Sequence, residues 1–183
     1  MKVTVELTDT STKFIINNIY PLYLHDLSGI WGWKPNRYGV YEDDDTRTLN
    51  DQIQVFDIWW EKPSILFPYL IRVDGIPAGF ALVATPPYTF GSEFYMNEFF
   101  VMKPFRGIHV AENAASQVFD EHAGSWEVQT NATDRNKRAQ AFWRKTLNNY
   151  ASNSGVQEFI DRRNDHEKLI FQFESSRPGP PIL

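Results

Sequence analysis

The chain has 183 residues, no cysteine, 42% hydrophobic and 22% charged residues, and a formal net charge of −5. That length suits one domain with a sizeable core, and the composition excludes a disordered tail, a disulfide scaffold, thiolate metal sites and a cysteine nucleophile. The acidic excess argues against a nucleic-acid binder, whose phosphate contacts need a basic face, and suits a cationic partner better.

In chain order, Met1 to Thr10 alternates like a strand and has neither the apolar block nor the cleavage site of a signal peptide, so the cytoplasm is the default location. Ile19, Leu22, Tyr23 and Leu27 recur at helical spacing, predicting an amphipathic helix within residues 14–29 with Pro21 in its first turn. An irregular stretch follows, Ile30 to Gln52, with Trp31, Trp33, Tyr38, Tyr41 and the acidic run Glu42 to Asp45. Its acids beside aromatics make it the candidate acceptor-facing segment, with Tyr41, Glu42 and Asp43 as substrate-binding candidates. Residues 51–61 read as a short helix.

Phe67 to Val73 and Ile76 to Ala84 read as paired strands around Asp74-Gly75, a dipeptide that accepts the positive φ of a tight hairpin turn. The run Ile76 to Ala84 is the longest nearly apolar one and is too short to span a bilayer. Glu93 to Val101 reads as a further strand. The period then switches: Ala111, Ala114, Ala115, Val118, Phe119 and His122 mark a helix that Gly124 ends. Trp126 to Thr130 alternates as a strand. Ala139, Phe142, Trp143, Leu147 and Tyr150 mark a second helix, capped by Thr133 or Asp134. Val156–Asp161 and Leu169–Phe173 close the domain, which is taken as residues 1–174, and residues 175–183 form a Pro-rich tail. The fold class is α/β: one domain with a mixed, mostly antiparallel sheet flanked by helices. The four histidines are dispersed with no helical ligand spacing, so no metal is expected.

The run Asn97 to Ala111 is a strand, a basic turn and a helix start. Free backbone N–H groups and the positive end of the helix dipole converge there, which is the physics of an anion site. Gly107 permits close backbone approach, and Arg106 adds a charged donor.

Residues 97–111 resemble the coenzyme A signature of the GNAT superfamily of N-acetyltransferases: an Arg or Gln, two residues, Gly, one residue, then Gly or Ala, here Arg106, His109 and Ala111. Asn136 to Trp143 resembles the family's second motif, and Phe99 to Met102 with Phe105-Arg106-Gly107 looks most like polyamine acetyltransferases. The resemblance implies a V-shaped splay between strands 4 and 5, with the pantetheine arm of acetyl-CoA along the backbone of Phe99, Phe100 and Val101. It implies pyrophosphate on the amides of Gly107, Ile108, His109, Val110 and Ala111, with Arg106 beside it. Asn136, Ala139 and Trp143 would meet the arm from the following helix.

The implied reaction is attack of a neutral amine on a thioester. A lysine-like amine is neutral in only about one molecule in 2,500 at pH 7, so a base is needed. Glu98 is the candidate, its pKa raised by apolar neighbours, with Glu93 in reserve. Two positions depart from the family pattern. Trp143 stands where many relatives place a Tyr acid, and Tyr150 is one conceivable substitute for it. His109 stands where Gly is preferred, at a cost on the order of 1–2 kcal/mol if its φ is positive. The expected function is acetyl transfer to a small cationic amine, polyamine- or aminoglycoside-like, with no membrane or nucleic-acid partner and a homodimer left open. The alternative drawn from the two departures is a non-catalytic acyl-CoA-binding or interaction module.

Overall fold

The computed structural model describes residues 1–54, 56–163 and 166–176; the Arg177–Pro181 tail lies outside them. The elements are β1 (Val3–Leu7), α1 (Lys13–Trp31), α2 (Leu49–Gln54), α3 (Ile58–Glu61), β2 (Leu66–Val73), β3 (Ile76–Ala84), β4 (Phe94–Val101), α4 (Val110–Asp120), β5 (Gly124–Asn131), α5 (Lys137–Tyr150), β6 (Val156–Arg163) and β7 (His166–Ser175). The strands form one seven-stranded sheet in the order β1-β2-β3-β4-β5-β7-β6. All neighbours are antiparallel except β4 and β5. Among the described residues no helix is long and apolar enough to cross a membrane.

The β2–β3 hairpin turns at Asp74 (φ 49) and Gly75 (φ 84), the two positive values a twist-compatible two-residue turn requires. Each face of the sheet then takes its own helices. Ile16, Tyr20 and Leu24 of α1 pack with Phe56 and Trp59 on Leu70, Phe80, Leu82 and Phe100. On the opposite face, Ala115, Val118 and Phe119 of α4 and Trp143 and Leu147 of α5 pack on Val83, Met96, Trp126, Val128 and Phe171. Each such large side chain, fully buried, contributes about 1.5–3 kcal/mol.

Several local expectations change. Pro21 lies inside α1 rather than in its first turn: Ile15 and Ile16 extend the apolar stripe upstream, so the helix begins at Lys13. Having no N–H, Pro21 leaves the carbonyl of Asn17 without its intrahelical donor. Residues 51–61 form two short helices rather than one. Thr133 precedes a 3₁₀ turn, Asp134–Asn136, so α5 starts at Lys137. His122 falls beyond the end of α4, and Ser175 belongs to β7 rather than to the tail.

Two backbone features of β4 determine how the sheet opens and which face its acid takes. Leu82 pairs with Glu98 but Val83 with Met96, so Asn97 is a bulge. The alternation resets there: Met96 and Phe99 pack on the α4–α5 face, whereas Tyr95 and Phe100 pack on the α1 face. Without the extra residue, Glu98 would follow Met96 to the α4–α5 side; with it, the carboxylate meets α1. The second feature is the β4–β5 pairing, which runs only from Phe94↔Trp126 to Met96↔Val128. Past Met96 the two parallel strands separate.

Candidate active site

The separation opens a cleft of about 880 Å³. Its walls are β4 from Tyr95 to Val101 and β5 from Gln129 to Asn131, with the C-terminal half of α1, the start of α4 and the first turns of α5 around it. Phe99, Phe100 and Val101 are held by β3 on one side and lie beyond the last β4–β5 pair on the other.

At one end, a 3₁₀ turn, Lys103–Phe105, leads into Arg106, then Gly107 (φ 80) and His109 (φ 63) before α4 begins. Arg106 is engaged inside the protein. Its Nε donates to the Val101 carbonyl at 2.6 Å, its Nη2 to Asp26 of α1 at 2.5 Å, and the guanidinium lies 5.3 Å from the centre of the Phe100 ring. His109 adopts the left-handed conformation the spacing made conditional. Its imidazole does not close the crevice: it is 75% exposed, pairs at 3.4 Å with Glu112 and is absent from the lining. Ile108 is exposed, the Val110 side chain is fully buried, and neither lines the cleft. Arg106, Gly107, Ala111 and Glu112 line the cleft here.

The charges around the cleft depart from the chain average. Arg106, Arg135, Arg138, Lys145 and Lys168 line it against three acids, Asp26, Glu98 and Glu112, although the whole chain is at −5. The N-terminus of α4 adds its dipole to the same end. The resulting field favours a polyanion.

Glu98 occupies the middle of the cleft. The Tyr23 hydroxyl donates to its Oε2. Burial pushes the carboxyl up to about 8, opposed by the charge of Lys168. Lys168, on β7 beside Asn131, is itself lowered, mainly by burial and against the pull of Glu98. On the other wall, Trp143 is buried, packs edge-on to Phe99 at 5.2 Å and lines the cleft with Ala139. Asn136 is buried at the cleft edge, its Nδ2 donating to Thr130 Oγ1 (2.7 Å) and the Asn131 carbonyl (2.9 Å), which orients Oδ1 as the acceptor atom.

Other candidates lie elsewhere. Glu93 accepts from Ser125 N and Oγ at the foot of the β4–β5 pair, outside the lining. The Tyr150 hydroxyl meets Asp120 and Ser175. Tyr41 packs against the α1 core with its ring 6.0 Å from His25. Neither Tyr41 nor the exposed Glu42 and Asp43 line the cleft. Tyr23, Arg135 and Lys168 line the cleft without having been site candidates, whereas Trp31, expected in the acceptor-facing loop, lines it from the end of α1. Tyr23 was visible only as one apolar position of a helix, and Lys168 lay just before the expected strand Leu169–Phe173, whereas β7 begins at His166.

No protein-family model matches the chain, and no curated protein matches it either. Solved structures do. An acetyltransferase from Thermus thermophilus is similar over 94% of this chain and 96% of its own, at 10% identity and TM-score 0.63. The aminoglycoside acetyltransferase AAC(6′)-Ib, solved with coenzyme A, covers 94% and 95% at 13% identity and TM-score 0.61. The ribosomal-protein-S18-alanine N-acetyltransferase from Escherichia coli covers 100% and 99% at 12% identity and TM-score 0.53. What is shared at these identities is the fold, including the architecture that the resemblance to GNAT acetyltransferases implied.

Proposed function

We propose that the protein is an acetyl-CoA-dependent N-acetyltransferase that acts on a primary amine by direct attack, with Glu98 as the base. The observation that carries this reading is a carboxyl held at about 8 on the wall of a β4–β5 splay whose far end is basic and meets a helix N-terminus.

The residues present fit the cosubstrate. The β4 edge from Phe99 to Val101 offers extended backbone to the pantetheine arm, and Asn136 Oδ1 offers it an acceptor. The amides of residues 107–111, with Arg106, Arg138 and Lys145 around them, suit the phosphates. Ala139 leaves room beside the arm, and Trp143 walls the thioester. Acetyl-CoA supplies a thioester carbonyl. The amine nitrogen bonds to the carbonyl carbon, the carbon–sulfur bond breaks, and Glu98 takes the amine proton. A coenzyme A thiol, with a pKa near that of Cys at about 8.5, leaves tolerably as thiolate, so Trp143 in place of a hydroxyl acid is compatible with turnover.

The expected polyamine- or aminoglycoside-like acceptor drew on the acidic charge balance, on the likeness of residues 99–102 and 105–107 to polyamine acetyltransferases, and on an acidic-aromatic segment whose residues 41–43 lie outside the lining. Among the similar structures the fold serves both an aminoglycoside and a protein alanine, so the fold does not select the acceptor. The non-catalytic alternative rested on positions 109 and 143. The imidazole stands outside the cleft and Trp143 forms part of its wall, so neither side chain blocks it. Purified protein with acetyl-CoA and an amine panel, assayed for free coenzyme A, tests the proposal. Amine-dependent release supports it, calorimetric binding of coenzyme A without release favours the alternative, and no binding removes both.

A further inference from the structure

Resting on that proposed activity, we propose that Lys168 receives an anionic group of the acceptor, so that the amine substrate is an amino-acid-like molecule carrying its own carboxylate rather than a polycation. Lys168 extends from β7 next to Asn131, where β5 no longer has β4 beside it. Its neighbour Leu169 packs into the α4–α5 core, so Lys168 faces the α1 side, as Glu98 does. There its ammonium sits 4.5 Å from the centre of the Trp31 ring.

The cleft's other cations differ. Arg106 is paired with Asp26 and Lys145 is 3.9 Å from Glu112, while Arg135 and Arg138 are exposed. Lys168 is partly buried and, among the described residues, forms no ion pair with a carboxylate. Its partners are an aromatic face and, at longer range, Glu98. Glu98 is mostly protonated at neutral pH, so it leaves the ammonium's charge largely uncompensated. A desolvated cation in that state is repelled by a second cation and gains most from a carboxylate.

The carboxylates nearby do not favour a polycation. Asp26 is taken up by Arg106, and Glu112 by His109 and Lys145. Beside Lys168, Trp31 and Trp33 stack with ring centres 5.7 Å apart, Leu27 and Ile30 also line the cleft, and among the described residues the one further charged side chain close by is another cation, Arg135, next to Gly32. The site therefore offers a base for the amine, an ammonium for a carboxylate and a flat apolar wall for a side chain.

The test pairs each common amino acid with its amide and its decarboxylated amine, adds spermidine, and follows coenzyme A release with wild type, Lys168→Met and Lys168→Arg. Calorimetry of the same compounds on coenzyme A-loaded protein runs in parallel. At least one free acid is expected to exceed its amide and amine in kcat/KM by about 10-fold or more, with spermidine below it. Lys168→Met should lower the acid's value by about 10–100-fold more than it lowers those of the amide and amine, whose shared loss reads the further rise of the Glu98 pKa once the ammonium is gone, and Lys168→Arg should keep part of the preference. Acids no better than their neutral-tailed analogues, or spermidine best, overturns the assignment. So does an equal loss for all acceptors in Lys168→Met, which would place the residue's effect on Glu98 instead. If no amine turns over, acetyl transfer fails as the activity, and calorimetry alone decides on Lys168: an acid must bind wild type and lose that binding in Lys168→Met, and absence of that difference refutes its role.

Discussion

Replacing Glu98 with Gln preserves shape and removes ionisation, and its consequences follow from the burial of that carboxyl. With a pKa of about 8, the ionised fraction is roughly 1% at pH 6, 9% at pH 7 and 50% at pH 8. The acceptor amine, ordinarily near 10.4, gains neutral fraction tenfold per unit over the same range. The slope of log kcat/KM against pH should thus approach two below pH 8 in wild type and one in Glu98→Gln. Above pH 8 the variant should be slower by about 10²–10⁴-fold, the usual worth of a positioned base, and the gap should shrink roughly ninetyfold between pH 9 and pH 6. Chromatographic measurement of coenzyme A release from pH 6 to 9 at constant ionic strength reads both numbers. A ratio of wild type to variant that does not change with pH would refute Glu98 as the ionising base. The same raised pKa has a stability consequence. Glu98 ionises near 4.5 when unfolded and near 8 when folded, so its contribution is full below pH 4.5 and is lost as pH rises through 8. The whole shift corresponds to about 5 kcal/mol, and partial exposure reduces that. At pH 9, Glu98→Gln should be more stable than wild type in urea by roughly 2–3 kcal/mol.

Arg106→Ala should weaken coenzyme A binding by about 10–100-fold in calorimetry, whereas Asp26→Asn, which releases the guanidinium, should not weaken it. Gly79→Ala places a Cβ 2.0 Å from the Phe100 carbonyl oxygen, so the β3–β4 pair must move and the urea midpoint should fall by the equivalent of about 2 kcal/mol or more. Burial holds His122 at about 4, below its ordinary 6.5, so the unfolded chain takes up the proton first. Wild-type stability should decline as pH falls from 6.5 toward 4, and His122→Gln should flatten that decline in urea titrations.

Elements with one strong periodic face were legible in the sequence. Ala111 to Phe119 named α4 because that helix buries a single stripe, and Asp74-Gly75 named its turn because few other pairs accept two positive φ values. The strand–turn–helix at Arg106 to Val110 was legible for the same local reason. What depends on two distant segments was not. The Asn97 bulge leaves no mark in the sequence, since a bulge is set by pairing with β3, yet it alone puts Glu98 on the α1 face. The contact of Tyr23 with Glu98 spans 75 positions, and Lys168 reaches the cleft only through the β5–β7 register. Pro21 misled in a simpler way: a proline read from the sequence suggests a helix start, and only the buried Ile16 shows that the stripe began earlier.

The net charge of the chain differs from the charge of its cleft, and the reason is physical. A total of −5 describes the far field and solubility, whereas a ligand in a low-dielectric cleft responds to charges within about a Debye length, roughly 8–10 Å. The acidic run Glu42 to Asp45 is exposed on a loop that does not line the cleft, where solvent and salt screen it. Five cations and three acids do line it, and two of those acids are spent on ion pairs with Arg106 and Lys145. The third, Glu98, is held largely protonated at neutral pH by its own burial. Locally the cleft is therefore a positive region within an acidic protein. One polarity then accounts for the phosphates of the cosubstrate at the α4 end and a carboxylate on the acceptor at the Lys168 end, with the single ionisable base between them.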